Sequence, residues 1–455
     1  MDFDVLVIGG GIQGAGILHD LASRRLSVHL LEERKLAIGT SSRSTKLVHG
    51  GLRYLERMLQ WPLVHEALQE RALLLRLLGP VVKPLPFVLP TGASPRPTWM
   101  IRMGLGLYDL MAGDSGLPRS RSLSRDDLVA LAPYLKQTPS QGTAGSRNST
   151  TSAFLFFDAQ MIDDAIVRLA AHAAVRLGGS YEEHAQVTHV SQLGTPSGSQ
   201  GFKVIGHKIS SGQKTTFEYR ARIVVLAAGA WNNWNLVRWG VAPRIPCLLN
   251  AGAHLVFAKE SVAAPQHSCA ASLIQNSDGR ALFFIPWCDR WLFGTTESEL
   301  YGDPRNLKPS HQDLSYLEQA VQQHLDLAPG HRSPVEVFSG VRTMPMRRLN
   351  SSPTLTSDLQ ENPFQEPFYP RAGSTNMSKM SRESVIDEPV PDLMAIYGGK
   401  YTTYRALAER IGRIVKDRLG RGGPSLTRTP DAWFLAHMMN EEPSLFLSDH
   451  ELRSA

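Results

Sequence analysis

At 455 residues the chain exceeds the ~250 to 300 residues that one hydrophobic core usually fills, so two or three domains are expected. Its 42% hydrophobic and 20% charged content is that of a globular protein, and the formal charge of +6 comes without any dense lysine-arginine run. That balance excludes nucleic acid as a partner and leaves an anionic membrane surface or an anionic substrate open. Three cysteines, Cys247, Cys269 and Cys288, form no C-x-x-C pair, which excludes a zinc site or disulfide framework and fits a reducing compartment.

The chain starts with a short apolar run, Val5 to Ile8, followed by Gly9, Gly11 and Gly14 at G-x-G-x-x-G spacing and a helix-like segment. A second apolar run from Val28 to Leu31 ends on Glu32. Strand, glycine turn, helix and acid-tipped strand form a dinucleotide-binding unit: the first glycine allows the turn, the second admits a pyrophosphate, and the third lets helix and strand pack closely. Glu32 stands where a carboxylate accepts hydrogen bonds from an adenosine ribose, and a 2′-phosphate there would be repelled. The loop alone leaves NAD and FAD both open, its N-terminal position leaning towards FAD. It also leaves no room for a targeting peptide, and no stretch approaches the ~20 apolar residues of a membrane span, so a cytoplasmic or peripheral protein is expected.

Residues 57–79 carry leucines at helical spacing, 80–97 read as extended and Pro-rich, and 99–111 as a further apolar helix. A flexible connection is expected at 138–152 and an alanine-rich helix at 163–177. Short alternating segments around 186–190, 202–205 and 217–220 suggest an antiparallel meander that runs into a buried strand from Ala221, whose small C-terminal residues, Gly229 among them, leave room for a ligand. Strand-like runs follow at 254–257, 282–286 and 291–295, then a helix at 312–327. Residues 347–380 are rich in Pro, Ser, Asn and Thr and read as a partly disordered insertion. Order returns at Leu393 to Lys400 and a helix over 402–418, with Thr402 or Thr403 as its N-cap, before a short, polar, weakly patterned tail.

Thr40 to Glu56 reads TSSRSTKLVHGGLRYLE and Gly398 to Arg405 reads GGKYTTYR. Together with the glycine loop, Trp99-Met-Ile-Arg, Asp158 to Asp164, Ile285-Pro-Trp, Gly294-Thr-Thr and Ser339-Gly-Val-Arg342, the chain resembles the FAD-dependent glycerol-3-phosphate dehydrogenases over most of 4–346 and 381–410. The resemblance implies an α/β fold with a Rossmann-type FAD-binding domain and an antiparallel β-rich substrate domain. The discontinuous FAD-binding domain would comprise 1–80, 153–240, 335–346 and 381–418, the cap 81–152 and 241–334, the flexible insertion 347–380 and the C-terminal tail 419–455. It further implies oxidation of glycerol 3-phosphate to dihydroxyacetone phosphate by hydride transfer to flavin N5, with quinone as acceptor, docking on the inner face of the cytoplasmic membrane, and a homodimer.

On the same basis Arg53, Tyr54, Arg342, Arg382 and Lys400 line the substrate pocket, where planar guanidinium groups suit a phosphate. Arg371 competes with Arg382 if the insertion is placed differently. His49 is the candidate base, since imidazole titrates near working pH, or else a histidine packed under the flavin; Arg342 and Lys400 could assist the proton's departure. Gly9, Gly11, Gly14, Glu32, Ser41, Ser42, Lys46, Gly229, Gly398, Gly399 and Thr402 are assigned to FAD, His254 and Thr296 to structural roles, and no residue to a metal. The chain departs from the family at Leu18 and Arg25, at Ala251, where a lysine is common, and at Thr343, where a proline is. On the same basis the family's helical C-terminal domain is expected to be mostly missing. Rival readings are an amine or amino-acid oxidase of the same superfamily, and a flavin-binding protein without turnover.

Overall fold

The computed structural model describes residues 1–52, 55, 60–92, 96–136, 153–195, 198–210, 212–264, 266–276, 278–351, 353–371, 383–448 and 451. The candidate residues Arg53, Tyr54 and Arg382, and the expected connection at 138–152, lie outside them.

Two sheets carry the molecule. In the first, the strands Leu393–Gly398, Gln213–Leu226, Phe3–Ile8, Val28–Leu31 and Ser180–Glu182 lie side by side in that order and run parallel. Val5, Val7, Leu30 and Val225 are fully buried, as expected of parallel strands covered on both faces. One face is covered by the helices Ile12–Ser23, Asp163–Arg176 and Tyr404–Leu419, which share a core with the strands. Gly16 allows one close approach between them, because a Cβ there would lie 2.7 Å from the Tyr404 ring. The expected meander is the antiparallel set Ala185–Thr195, Gly198–Ser210 and Gln213–Leu226, and helps to cover the other face.

The second sheet is mostly antiparallel. Its backbone is Cys247–Ala258, buried at nearly every position and paired with Arg290–Gly294 and Glu336–Pro345. Two segments assigned to the FAD-binding domain form strands of this sheet: Ala153–Met161 pairs with Val82–Pro90, and Glu336–Pro345 pairs with Cys247–Ala258. Ala153–Met161 is an apolar run and Glu336–Pro345 a mixed one, and neither composition is tied to one sheet, so the sequence does not reveal their partners.

Two segments of loop-like composition are anchored by aromatic side chains. Part of the insertion is anchored: Phe368 and Tyr369 are buried, Asn233 and Cys247 donate backbone-directed hydrogen bonds to the Phe368 carbonyl, and the Tyr369 hydroxyl donates to the Ala230 carbonyl at 2.7 Å. A few aromatic side chains anchor this segment, and they carry no period. The tail also packs, with Trp433 fully buried, edge-on to His19 and donating its indole N–H to the Thr427 carbonyl. Among the described residues no helix is long and apolar enough to cross a membrane.

Candidate active site

The glycine loop is shaped by close backbone approach. Gly9 has φ +112°, and a Cβ on it would lie 2.6 Å from the Ala227 carbonyl oxygen; a Cβ on Gly14 would lie 1.8 Å from that of Gly9. Gly11 caps the helix Ile12–Ser23 without a side chain, so the helix N-terminus is presented bare, and the Ile12 N–H donates to Ser41 Oγ at 2.9 Å. At the end of the second strand Glu32 accepts from the N–H groups of Gly10 (2.6 Å) and Arg34 (2.9 Å), while burial pushes its carboxyl above the ordinary range. A second glycine turn meets this loop. Gly398 and Gly399 have φ +65° and +93°, and Gln13 donates its side-chain amide to the Gly398 carbonyl at 2.5 Å. The φ of Gly399 favours glycine, and a Cβ there would lie 2.9 Å from the same amide nitrogen.

Between the loops and the second sheet lies a cavity of about 1150 Å³. That exceeds the volume of most single small-ligand pockets and leaves room for a dinucleotide with a small substrate beside it. Gly9, Gly11, Glu32, Ser41 and Gly229 line one part of it, and Gly398, Gly399 and Thr402 another. His49, Arg342 and Lys400 line it as well, so three of the candidate chemical groups from distant segments share one space.

The segments are held together by named contacts. Thr40 donates its hydroxyl to the Val341 carbonyl at 2.7 Å, and Gly340 lets the Arg43 backbone approach, since a Cβ there would lie 2.6 Å from the Arg43 carbonyl oxygen. Thr402 does not cap a helix. The N-cap is Thr403, and the Thr402 hydroxyl instead accepts from the His49 N–H and donates to its carbonyl, both at 3.3 Å. Arg342 lies opposite Asn250 on the neighbouring strand, with its guanidinium reaching across Gly252, where a Cβ would stand 3.4 Å from Nη1.

His254, expected to be structural, is buried, stacks on Phe338 and shares a hydrogen bond with the Thr45 hydroxyl at 3.1 Å. Burial and the neighbouring Arg342 charge push its imidazole down to about 3, so it presents a neutral ring beside the cation. Thr296 accepts from the Ala253 N–H at 2.9 Å through its hydroxyl.

Two residues assigned to the cofactor are placed elsewhere, whereas Gly14 allows the helix-strand contact expected of the third glycine. Ser42 lies outside the cavity lining. Lys46 is buried in an ion pair with Asp163 at 2.7 Å, under the Trp287 ring, and also donates to the Ser42 carbonyl.

Sequence reasoning missed the groups behind His49. Tyr108 accepts from the Gly50 N–H at 2.9 Å and donates to Asp158, which is paired with Arg71. The available signal was Asp158 in its DAQMIDD segment, but nothing in the sequence joins it to positions 71 and 108.

Two glycine turns around a bare helix N-terminus, an acid-tipped strand and a large cavity define an FAD-dependent oxidoreductase. The chain belongs to that family: the FAD dependent oxidoreductase profile matches residues 4–360, and the cofactor is FAD. Within it the chain groups with glycerol-3-phosphate dehydrogenases. It is 33% identical over 429 residues to the enzyme so named in Mycobacterium leprae, covering 93% of this chain and 65% of that protein. It is 32% identical to the aerobic glycerol-3-phosphate dehydrogenase of Escherichia coli, covering 93% of this chain and 75% of that protein. Among solved structures, the FAD complex of the glycerol-3-phosphate dehydrogenase from Bacillus halodurans superposes with a TM-score of 0.65 at 22% identity, covering all of this chain and 74% of that one, and supports the fold. The chain thus spans about two thirds of the mycobacterial relative's length.

Proposed function

We propose that the protein oxidises glycerol 3-phosphate to dihydroxyacetone phosphate and passes the electrons to a quinone at a membrane surface. The observation that carries this reading is that Arg342, Lys400 and His49, from three distant segments, line the same cavity as the glycine turns. FAD, when bound, supplies the two-electron oxidant. Glu32 and the bare N-terminus of Ile12–Ser23 suit its ribose and pyrophosphate, and the Gly398-Gly399 turn its ring system.

The chain's own groups divide the remaining work. Arg342 and Lys400 bind the anionic substrate by charge-assisted hydrogen bonds. His49 accepts the C2 hydroxyl proton as the alcohol is oxidised. His254, kept neutral, adds a polar ring without a further charge. The Asp158 carboxylate, which also lines the cavity, is paired with Arg71 and so does not repel the phosphate.

A membrane-facing acceptor is supported by the helix Thr98–Ala112. Its inner stripe, Ile101, Leu105, Tyr108 and Ala112, is buried, yet Trp99, Met103 and Leu110 form a second apolar stripe that is 60%, 66% and 77% exposed. A helix apolar on both faces suits an apolar partner on the outer one, and Trp99 and Met103 stand at the cavity wall. The names of the relatives support the substrate.

Titration of Arg342→Gln with glycerol 3-phosphate tests the phosphate role. Loss of a charge-assisted pair predicts about 10- to 100-fold weaker substrate binding. Unchanged binding would contradict it.

A further inference from the structure

We infer that Tyr108, Asp158 and Arg71 are positioning residues that set the backbone of His49 for proton transfer; this rests on the proposed role of His49. The turn His49-Gly50 is gripped from two sides. On one, Thr402 holds both the N–H and the carbonyl of His49. On the other, Gly50 donates its N–H to Tyr108 Oη at 2.9 Å. Only glycine fits at this contact, since a Cβ there would lie 2.5 Å from Leu68 Cδ2 and 2.7 Å from Tyr108 Oη.

The direction of the relay follows from the groups. The Gly50 N–H can only donate, so Tyr108 accepts it and spends its own proton on Asp158, at 2.7 and 3.0 Å from the two carboxylate oxygens. Burial pushes the phenol's titration up, which keeps that proton in place. Arg71 completes the chain with an ion pair to Asp158, and its Nη1 also donates to the Phe157 carbonyl at 3.0 Å.

All three side chains are buried, and they come from three elements: Trp61–Leu77, Thr98–Ala112 and Ala153–Met161. A buried ion pair contributes little stability over well-packed apolar groups of the same size. This one ends on a backbone amide adjoining the candidate base, where it fixes the geometry that proton transfer needs.

Tyr108→Phe removes one hydroxyl and keeps the ring. Flavin reduction by glycerol 3-phosphate, followed anaerobically in the FAD-loaded protein, is expected to slow about 10- to 100-fold with little change in substrate affinity. The pH dependence of reduction is expected to shift relative to wild type, which loss of stability alone would not produce. Asp158→Asn, which keeps the shape, should give the same split, and serves if Tyr108→Phe fails to hold FAD. Wild-type rates and pH profile in a folded variant would overturn the inference while leaving the functional reading intact. A wild-type protein that glycerol 3-phosphate never reduces, with His49→Ala behaving identically, would refute the reading of the site and this inference with it.

Discussion

Two buried histidines tie stability to pH. His19 lies against Trp433 and donates Nε2–H to the Ala432 carbonyl at 2.8 Å; burial pushes its imidazole down to about 4. His254 is pushed down to about 3, by burial first and then by Arg342. Both fold neutral, whereas in the unfolded chain both take up a proton near the ordinary value of 6.5. Their folded values are depressed, so the neutral packing is undisturbed above pH 6.5, and the folded state loses ground as pH falls from 6.5 towards 4. At pH 5 the penalty is on the order of 2 kcal/mol for each histidine. Urea unfolding between pH 7.5 and 5 should therefore show a falling midpoint, and His19→Gln should flatten that slope. A midpoint with the same pH dependence in the variant would contradict the assignment.

The helices carry two predictions of their own. Arg405, in the GGKYTTYR segment, is 1% exposed and fastens Tyr404–Leu419 to Trp61–Leu77 through Glu70, at 2.5 and 2.8 Å. Arg405 keeps a second carboxylate partner in Glu409 at 2.8 Å, so Glu70→Gln loses one charge-assisted pair and should lower the unfolding free energy by about 2 kcal/mol in urea titration. A loss below about 1 kcal/mol would mean that solvent reaches the pair. The outer stripe of Thr98–Ala112 predicts binding to anionic lipid vesicles. Replacing Trp99 and Leu110 by serine should weaken vesicle binding about tenfold or more, since each buried apolar side chain contributes roughly 1.5–3 kcal/mol. Equal partition of variant and wild type in a vesicle flotation assay would move the interface elsewhere.

At the scale of the whole molecule, the legible parts were those written locally. Gly9, Gly11 and Glu32 lie within one strand-turn-helix-strand unit, so spacing alone defined their chemistry, and Gly398 to Lys400 form a similar compact signal. The resemblance brought His49, Arg342 and Lys400 together, and the structure puts all three on one cavity. Contacts made across the chain were not legible. Asp158 is 87 residues from Arg71 and 50 from Tyr108, and no spacing rule joins them. Lys46 reads as a site cation until Asp163 is seen to neutralise it. Phe368, Tyr369 and Trp433 anchor segments whose composition reads as loop, because a few aromatics suffice to hold a chain without any period.

The central claim is that this cavity turns phosphate binding into oxidation of the adjoining alcohol. The most direct test is to load the protein with FAD, exclude oxygen, add glycerol 3-phosphate and follow the flavin absorbance. The account predicts bleaching within a turnover by glycerol 3-phosphate and none by glycerol at the same concentration, with absorbance recovering when a quinone is added. An unbleached flavin, or one bleached by an amino acid or amine but not by glycerol 3-phosphate, would contradict it.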